Sequence, residues 1–158
     1  MTQSARVFSS TLRASPTSFL TASQVKWLNR MIEGTNHTCD NSMLESAINA
    51  PINQQFYANE HDIARLAAVL GCRIIKNHSF SNGNKRTALL AANLFLLQNG
   101  KVRLPDVLCV ESNDMLKQAH DEVAIGKLEE DEFAEILRKA WRMATDASYT
   151  QPAGLYEE

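Results

Sequence analysis

Residues 87–98 constrain this chain more than any other segment. They are apolar nearly all round, so a helix built from them must be enclosed by other elements rather than laid on a surface. The nearly unbroken apolar stretch 88–97 is about half of the ~20 residues needed to cross a bilayer, which makes it a core helix and not a membrane span. Gly100 supplies the stop. With 158 residues, 44% of them apolar and 22% charged, the chain can surround such a helix in one domain, and nothing calls for a second. We expect that domain at residues 19–147, between flexible tails at 1–18 and 148–158.

The flanking signals are helical. Thr21 with Gln24 forms a capping box, Val25, Leu28 and Ile32 give one apolar face, and Gly34 ends the helix. Ser42 with Glu45 repeats the box ahead of a short helix expected to end before Pro51, since the residue preceding proline avoids helical backbone. Residues 49–59 then read as a loop. From Glu60, the positions Ile63, Leu66, Ala67, Leu70 and Ile74 recur at helical spacing to about Lys76. Beyond the core helix, Ser112 can cap a helix carrying Met115, Ala119 and Val123 that Gly126 closes. A last helix has acids at its start (Glu129, Glu130, Asp131, Glu132) and bases near its end (Arg138, Lys139, Arg142), matching the helix dipole. Its face is Leu128, Phe133, Ile136, Leu137, Ala140 and Trp141. The fold class expected is all-α. Only 49–59 and 101–104 have extended character, as a hairpin or a single strand.

Composition narrows the partners. A net charge of -2 lacks the basic excess of a nucleic-acid binder. Cys39, Cys72 and Cys109 are odd in number and without metal-ligand spacing, so they read as reduced structural thiols. The first acidic residue is Glu33, preceded by Arg6, Arg13, Lys26 and Arg30. That pattern suits a disordered tail entering a basic helix in a cytoplasmic protein, and as the lesser alternative a mitochondrial transit peptide.

Polar residues concentrate at 78–87, between two helical segments. Gly83 can turn successive backbone N–H groups inward at the start of the next helix, and the positive end of that helix adds to the attraction for an anion. Lys85 and Arg86 occupy its first turn, where each cation costs about 0.3 to 1 kcal/mol against the dipole. Either both reach outward to acids elsewhere, or a bound polyphosphate removes the conflict. His78 is placed to act on the same anion, because imidazoles exchange protons near neutral pH. Phe80 reads as the anchor of the turn to the core, while His37, His61 and His120 have no motif around them and read as structural.

The stretch from His78 to Arg86 resembles the Doc-type pattern HxFx(D/N)GNKR of the Fic/Doc family, continued by Thr87-Ala88-Leu89. Leu44-Glu45-Ser46-Ala47 with Pro51 is similar to the family's LESA segment, and Gly126-Lys127-Leu128 to its C-terminal AxGxL stretch, so the resemblance spans roughly 19–144. It implies a Fic fold, a helical bundle around a central buried helix, holding ATP and Mg2+ beside a flap that aligns a target protein. By matching position His78 would be the general base, Asn84, Lys85 and Arg86 would hold phosphates, Gly83 would form the anion hole and Asn82 would be the metal position. The flap is expected at 49–59, with Asn53, Gln54, Gln55, Phe56 and Tyr57 meeting the target.

Two departures refine this. The Fic pattern HxFx(D/E)GNGRxxR has glycine at Lys85 and arginine at Leu89, which favours Doc-like phosphoryl transfer from ATP, of a toxin-like kind, over transfer of AMP or use of another phosphorylated donor. Asn82 replaces the commoner acid, and an amide is the weaker magnesium ligand. The remaining alternative is a binding module that keeps the groove without useful turnover. The family's inhibitory pattern (S/T)xxxE(G/N) is absent, so restraint is expected from a separate antitoxin-like protein rather than in cis.

Overall fold

The computed structural model describes residues 16–100 and 114–146, with side chains as far as residue 140. Among the described residues there are six helices: α1 (Ala22–Glu33), α2 (Asn41–Ala58), α3 (Ile63–Asn77), α4 (Asn84–Gln98), α5 (Asp114–Ala124) and α6 (Glu130–Asp146). The fold class is all-α, as the periodicity required. One isolated antiparallel bridge, between Cys39 and Phe80, joins two turns.

Local signals and burial together set each element. The capping box at α1 is present, with the Gln24 N–H donating to Thr21 Oγ1 and the Thr21 N–H donating to Gln24 Oε1. Ahead of α2 the cap is Asp40, not the Ser42–Glu45 box: Asp40 Oδ1 accepts from the N–H groups of Ser42 and Met43 at 3.0 and 3.1 Å. The Ser42 hydroxyl, donating to the same oxygen at 2.8 Å, and then these N–H groups hold the Asp40 carboxyl below the usual carboxylate range. Asp62 caps α3 through the Ala64 N–H and is gripped by Arg138 of α6.

The expected loop at 49–59 is helical. Proline 51 lies inside the 18-residue α2. Its ring removes a single intrahelical hydrogen bond. Against that loss, Leu44, Ala47, Ile48 and Pro51 itself are all buried, and α2 packs along α3. Tertiary burial of the turns up to and including the proline outweighs the local preference for a break. The other segment of expected extended character, 101–104, and the expected Ser112 cap lie outside the described residues, as do the side chains of Trp141 and Arg142.

Helix α4 is enclosed as its sequence demands, with Ala88, Leu89, Ala91, Ala92, Phe95 and Leu96 buried. The helix that touches most neighbours, however, is α3, which packs on α2, α4, α5 and α6. Every residue from 66 to 72 is buried. Small residues make this possible: a Cβ on Gly71 would stand 3.1 Å from the Phe133 ring of α6 and 3.7 Å from the Ala92 Cβ of α4. Helix α5 turns Leu116, Ala119, His120 and Val123 inward, so Leu116 takes the place that Met115 was expected to fill. On α6 the buried face is Phe133, Ala134 and Leu137, with Leu128 just before it and Ile136 and Ala140 at the margin. Burial pushes the Cys72 thiol up to about 12 and raises Cys39 as well, in keeping with unreactive structural thiols. Cys109 lies outside the described residues.

This packing positions the polar turn. Helix α3 delivers it, α4 departs from it, and α1 lies against its outer side. None of the described helices is long and apolar enough to cross a membrane.

Candidate functional site

The turn is built by splitting the hydrogen bonds of its backbone between two supports. Asp40 N–H donates to the Ser79 carbonyl at 2.8 Å and Ser81 N–H to the Thr38 carbonyl at 3.0 Å, so alternate groups of 79–81 pair with the extended segment 38–40. The Phe80 groups point the other way. Its N–H donates to Asn84 Oδ1 at 3.0 Å, and its carbonyl accepts from Asn84 Nδ2 at 2.7 Å. Phe80, 3% exposed, sinks into the core as the expected anchor. Asn84, 4% exposed, spends its Oδ1 and one Nδ2 hydrogen on Phe80, so its side chain holds the turn.

Left-handed backbone marks both ends of the turn. His78 closes α3 at φ 50°, ψ 46°, a conformation costing a non-glycine residue about 1–2 kcal/mol, and its side chain is exposed. Gly83 opens α4 at φ 78°. A side chain there would be strained in backbone and in space, since a Cβ would lie 2.6 Å from Glu33 Cγ. No side chain caps α4. Its first N–H groups therefore face outward unpaired by the helix, at the positive end of the dipole.

Ile75, His78, Ser81, Asn82, Gly83, Asn84, Lys85, Arg86 and Ala124 line a cavity of about 400 Å3 at this end of α4. The sequence-expected residues His78, Asn82, Gly83, Asn84, Lys85 and Arg86 are thus brought together. The five expected flap residues are not. Asn53, Gln54, Gln55, Phe56 and Tyr57 lie in the last turns of α2, which joins the start of α3, whereas His78 lies at its end. Fifteen residues of helix separate those ends, roughly 22 Å at 1.5 Å each. Phe56 and Tyr57 are 79% and 80% exposed and stack edge to face on each other, and Gln55 donates to Thr17. The segment that does lie beside the motif is 38–40.

Both first-turn cations reach acids, as the blander of the two readings of these residues requires. Lys85 Nζ is 2.6 Å from Asp121 Oδ1 of α5 in an exposed pair. Arg86 pairs with Glu33 of α1, whose side chain is only 7% exposed. Asn82 Nδ2 also donates to Glu33, at 2.9 Å, while Asn82 Oδ1 accepts from the Gly83 N–H at 2.9 Å. A carboxylate thus already sits against Gly83. One turn earlier on α1, buried Asn29 donates to the Asn82 carbonyl and to Thr87 Oγ1, both at 3.0 Å. Glu33 and Asn29 were not singled out in the sequence, and nothing local marks them, because these partners lie 49 or more positions away.

The other histidines are structural in placement: His37 donates to the Glu33 carbonyl, His61 contacts Asn59, and His120 is buried. Among the described residues no group of three or more His, Cys, Asp or Glu side chains could hold a metal ion. Asn82, the expected metal position, accepts from the Gly83 N–H with one lone pair of Oδ1 and donates to Glu33 through Nδ2, and the second lone pair of Oδ1 is what it could offer a metal ion. Phosphate oxygens fit far better, being acceptors for the open N–H groups and for two cations.

No curated relative matches the chain. Residues 19–96, which carry α1, α2, α3, the whole polar turn and all but the end of α4, match the sequence model of the Fic/DOC family, and the all-helical arrangement agrees with the all-α Fic fold.

Proposed function

We propose that this chain is a Doc-like protein kinase, binding the polyphosphate of ATP at the start of α4 and passing a phosphoryl group to a hydroxyl of a target protein. The family match supports a Fic-type transferase of the general kind. The observation that carries the finer reading is the uncapped N-terminus of α4, opened by a glycine with no room for a side chain, facing a cavity that His78, Lys85 and Arg86 also line.

In this reading the open N–H groups of α4 and the two cations hold the phosphate oxygens. Lys85 exchanges its solvent-exposed pairing with Asp121, which is worth little, for a phosphate oxygen. Arg86 must be shared with, or taken from, Glu33. His78 accepts the proton as the target oxygen attacks the terminal phosphorus, the bond to the bridging oxygen breaks, and ADP leaves. Positioning and charge neutralisation supply most of such catalysis. Magnesium, implied by the resemblance, would be held mainly through the phosphates themselves. No step is assigned to it. The target backbone is read as lying along 38–40, whose Cys39 N–H and carbonyl point away from Phe80 and are free to pair with an added strand. An antitoxin-like protein would act by covering the same edge or cavity.

A second reading, the binding module, is favoured by a specific observation: Lys85, Arg86 and Asn82 all have protein partners. Incubating the protein and cell extract with ATP labelled on either the α or the γ phosphate separates the readings. Transfer of γ label supports the kinase, transfer of α label replaces it with a nucleotidyl transferase, and transfer of neither leaves the binding module.

A further inference from the structure

Phe56 and Tyr57, expected from the sequence to meet a target protein, lie away from the motif and have no task there. They are 79% and 80% exposed at the end of α2, and their rings meet edge to face at a centroid distance of 5.0 Å. A single exposed apolar side chain needs no explanation, but a paired aromatic patch does.

The patch continues along the helix. Ser46, Asn49 and Asn53 are exposed and recur at helical spacing with Phe56 and Tyr57, opposite the buried Leu44, Ala47, Ile48 and Pro51. No Asp, Glu, Lys or Arg occurs from 46 to 57, about three turns of helix. The whole 18-residue helix carries one charged residue, Glu45, in a chain that is 22% charged. The acids just beyond its end are already spent, Glu60 on Arg65 and Asp62 on Arg138. Exposed aromatics with charge removed from around them are the composition of an interface core.

Charge also selects the occupant. A two-fold axis sets a patch against itself, so a lone charge repels its own image, whereas an amide, donor and acceptor at once, can pair with its copy. The outer face of α2 meets both conditions. Trp27 and Met31 on α1 are exposed too, but they adjoin Lys26 and Arg30, which a two-fold would set against their own copies. The area is adequate as well. At four-fifths exposure, the aromatic rings of two copies bring roughly 500–800 Å2, about 40% of what a stable interface buries, and the amide row adds to it.

We propose that the outer face of α2 is a homodimer interface, on which a second copy of this chain lays its own α2 antiparallel across a two-fold axis near Asn53. Asn53 then meets Asn53, and Phe56 and Tyr57 of each copy cover Asn49 of the other. The axis lies toward the end of α3 remote from His78, so the cavity at the motif is left uncovered in both copies.

Sedimentation velocity of the full chain tests this from about 1 to 100 µM, within the span of affinities that interfaces of this size show. The wild type should approach the mass of two chains as concentration rises. Phe56→Ser with Tyr57→Ser, both at exposed positions, should raise the dimer dissociation constant at least about tenfold with the helical circular dichroism unchanged. Asn53→Lys and Asn53→Asp should each be monomeric alone, and an equimolar mixture should restore the dimer, because opposite charges then meet at the axis. A dimer indifferent to the double serine variant, or a lysine–aspartate mixture that stays monomeric, overturns the proposal. So does a wild type that is monomeric throughout. In that case, shielding of Tyr57 from hydroxyl-radical labelling would give the face to residues 1–15, which lead toward Thr17 beside Gln55, and free labelling would leave it to a foreign partner.

Discussion

Replacing Asn84 separates two roles for a residue at the heart of the motif. As a phosphate ligand its loss would weaken nucleotide binding and leave stability alone. The structure instead spends its amide on the Phe80 N–H and carbonyl, at 3.0 and 2.7 Å, with Asn84 4% exposed and Phe80 3% exposed. Asn84→Ala strands both main-chain groups. Each buried group left without a partner costs roughly 1–3 kcal/mol, so the loss is about 2–6 kcal/mol, less whatever an entering water recovers. In a chain of this size that lowers Tm by roughly 6–18 °C, taking about 3 °C per kcal/mol. Asn84→Asp should be no rescue at neutral pH, because it keeps an acceptor for the N–H but sets a carboxylate oxygen against the Phe80 carbonyl. Protonation restores a donor, so the aspartate variant should recover stability as pH falls. Thermal unfolding without nucleotide, followed by circular dichroism from pH 5 to 8, reads all of this. An Asn84→Ala protein melting within about 2 °C of the wild type would refute the reasoning.

Other expectations follow from the same geometry. Glu33→Gln removes the carboxylate that competes for Arg86, so ATP and tripolyphosphate should bind several-fold more tightly by calorimetry, with a cost of about 1 kcal/mol in stability; unchanged affinity would mean that Glu33 and the ligand do not share Arg86. His78→Ala should lower label transfer by roughly 10² to 10⁴-fold with nucleotide affinity retained, since proton abstraction matters only in the transition state; equal transfer rejects the base. His120 has a folded pKa of about 4 against 6.5 unfolded. The unfolded chain therefore binds its proton first, and the group withdraws roughly 3 kcal/mol of stability as pH falls from about 6.5 to about 4, with no effect above that window. A Tm that is flat across it, or equally sloped in His120→Phe, would contradict the burial argument.

Local signals were legible where sequence neighbours make the structure. Thr21 and Gln24 form their box within one turn, and the apolar run of α4 specifies its own enclosure. The motif turn was legible too, because a glycine between two helical segments leaves little else for it to be. The errors came where distant contacts decide. Pro51 is a break signal that helix burial against α3 overrides, so residues 53–57, read as a loop, lie in the last turns of α2, at the other end of α3 from His78. The segment truly beside the motif, 38–40, shows nothing in its sequence, since its pairing with 79–81 is long-range. Asp40 and Ser42 offer rival caps two positions apart, and only the folded hydrogen bonds choose. The absence of an inhibitory pattern likewise did not reveal that Glu33, on α1, would lie against Gly83 and pair with Arg86.

The central claim, that residues 83–86 form a phosphate site, is tested most directly by calorimetric titration of ATP with magnesium into the wild type and the Lys85→Ala, Arg86→Ala double variant. Hydrogen bonds to charged groups contribute about 1.5 to 3 kcal/mol each, so the double variant should bind at least 10²-fold more weakly, reduced somewhat by release of the Asp121 and Glu33 pairings. Melting curves confirm that it remains folded. Saturable binding in the wild type that is lost in the double variant is the predicted result. Equal affinity in the two proteins would contradict the account, whatever activity either one shows.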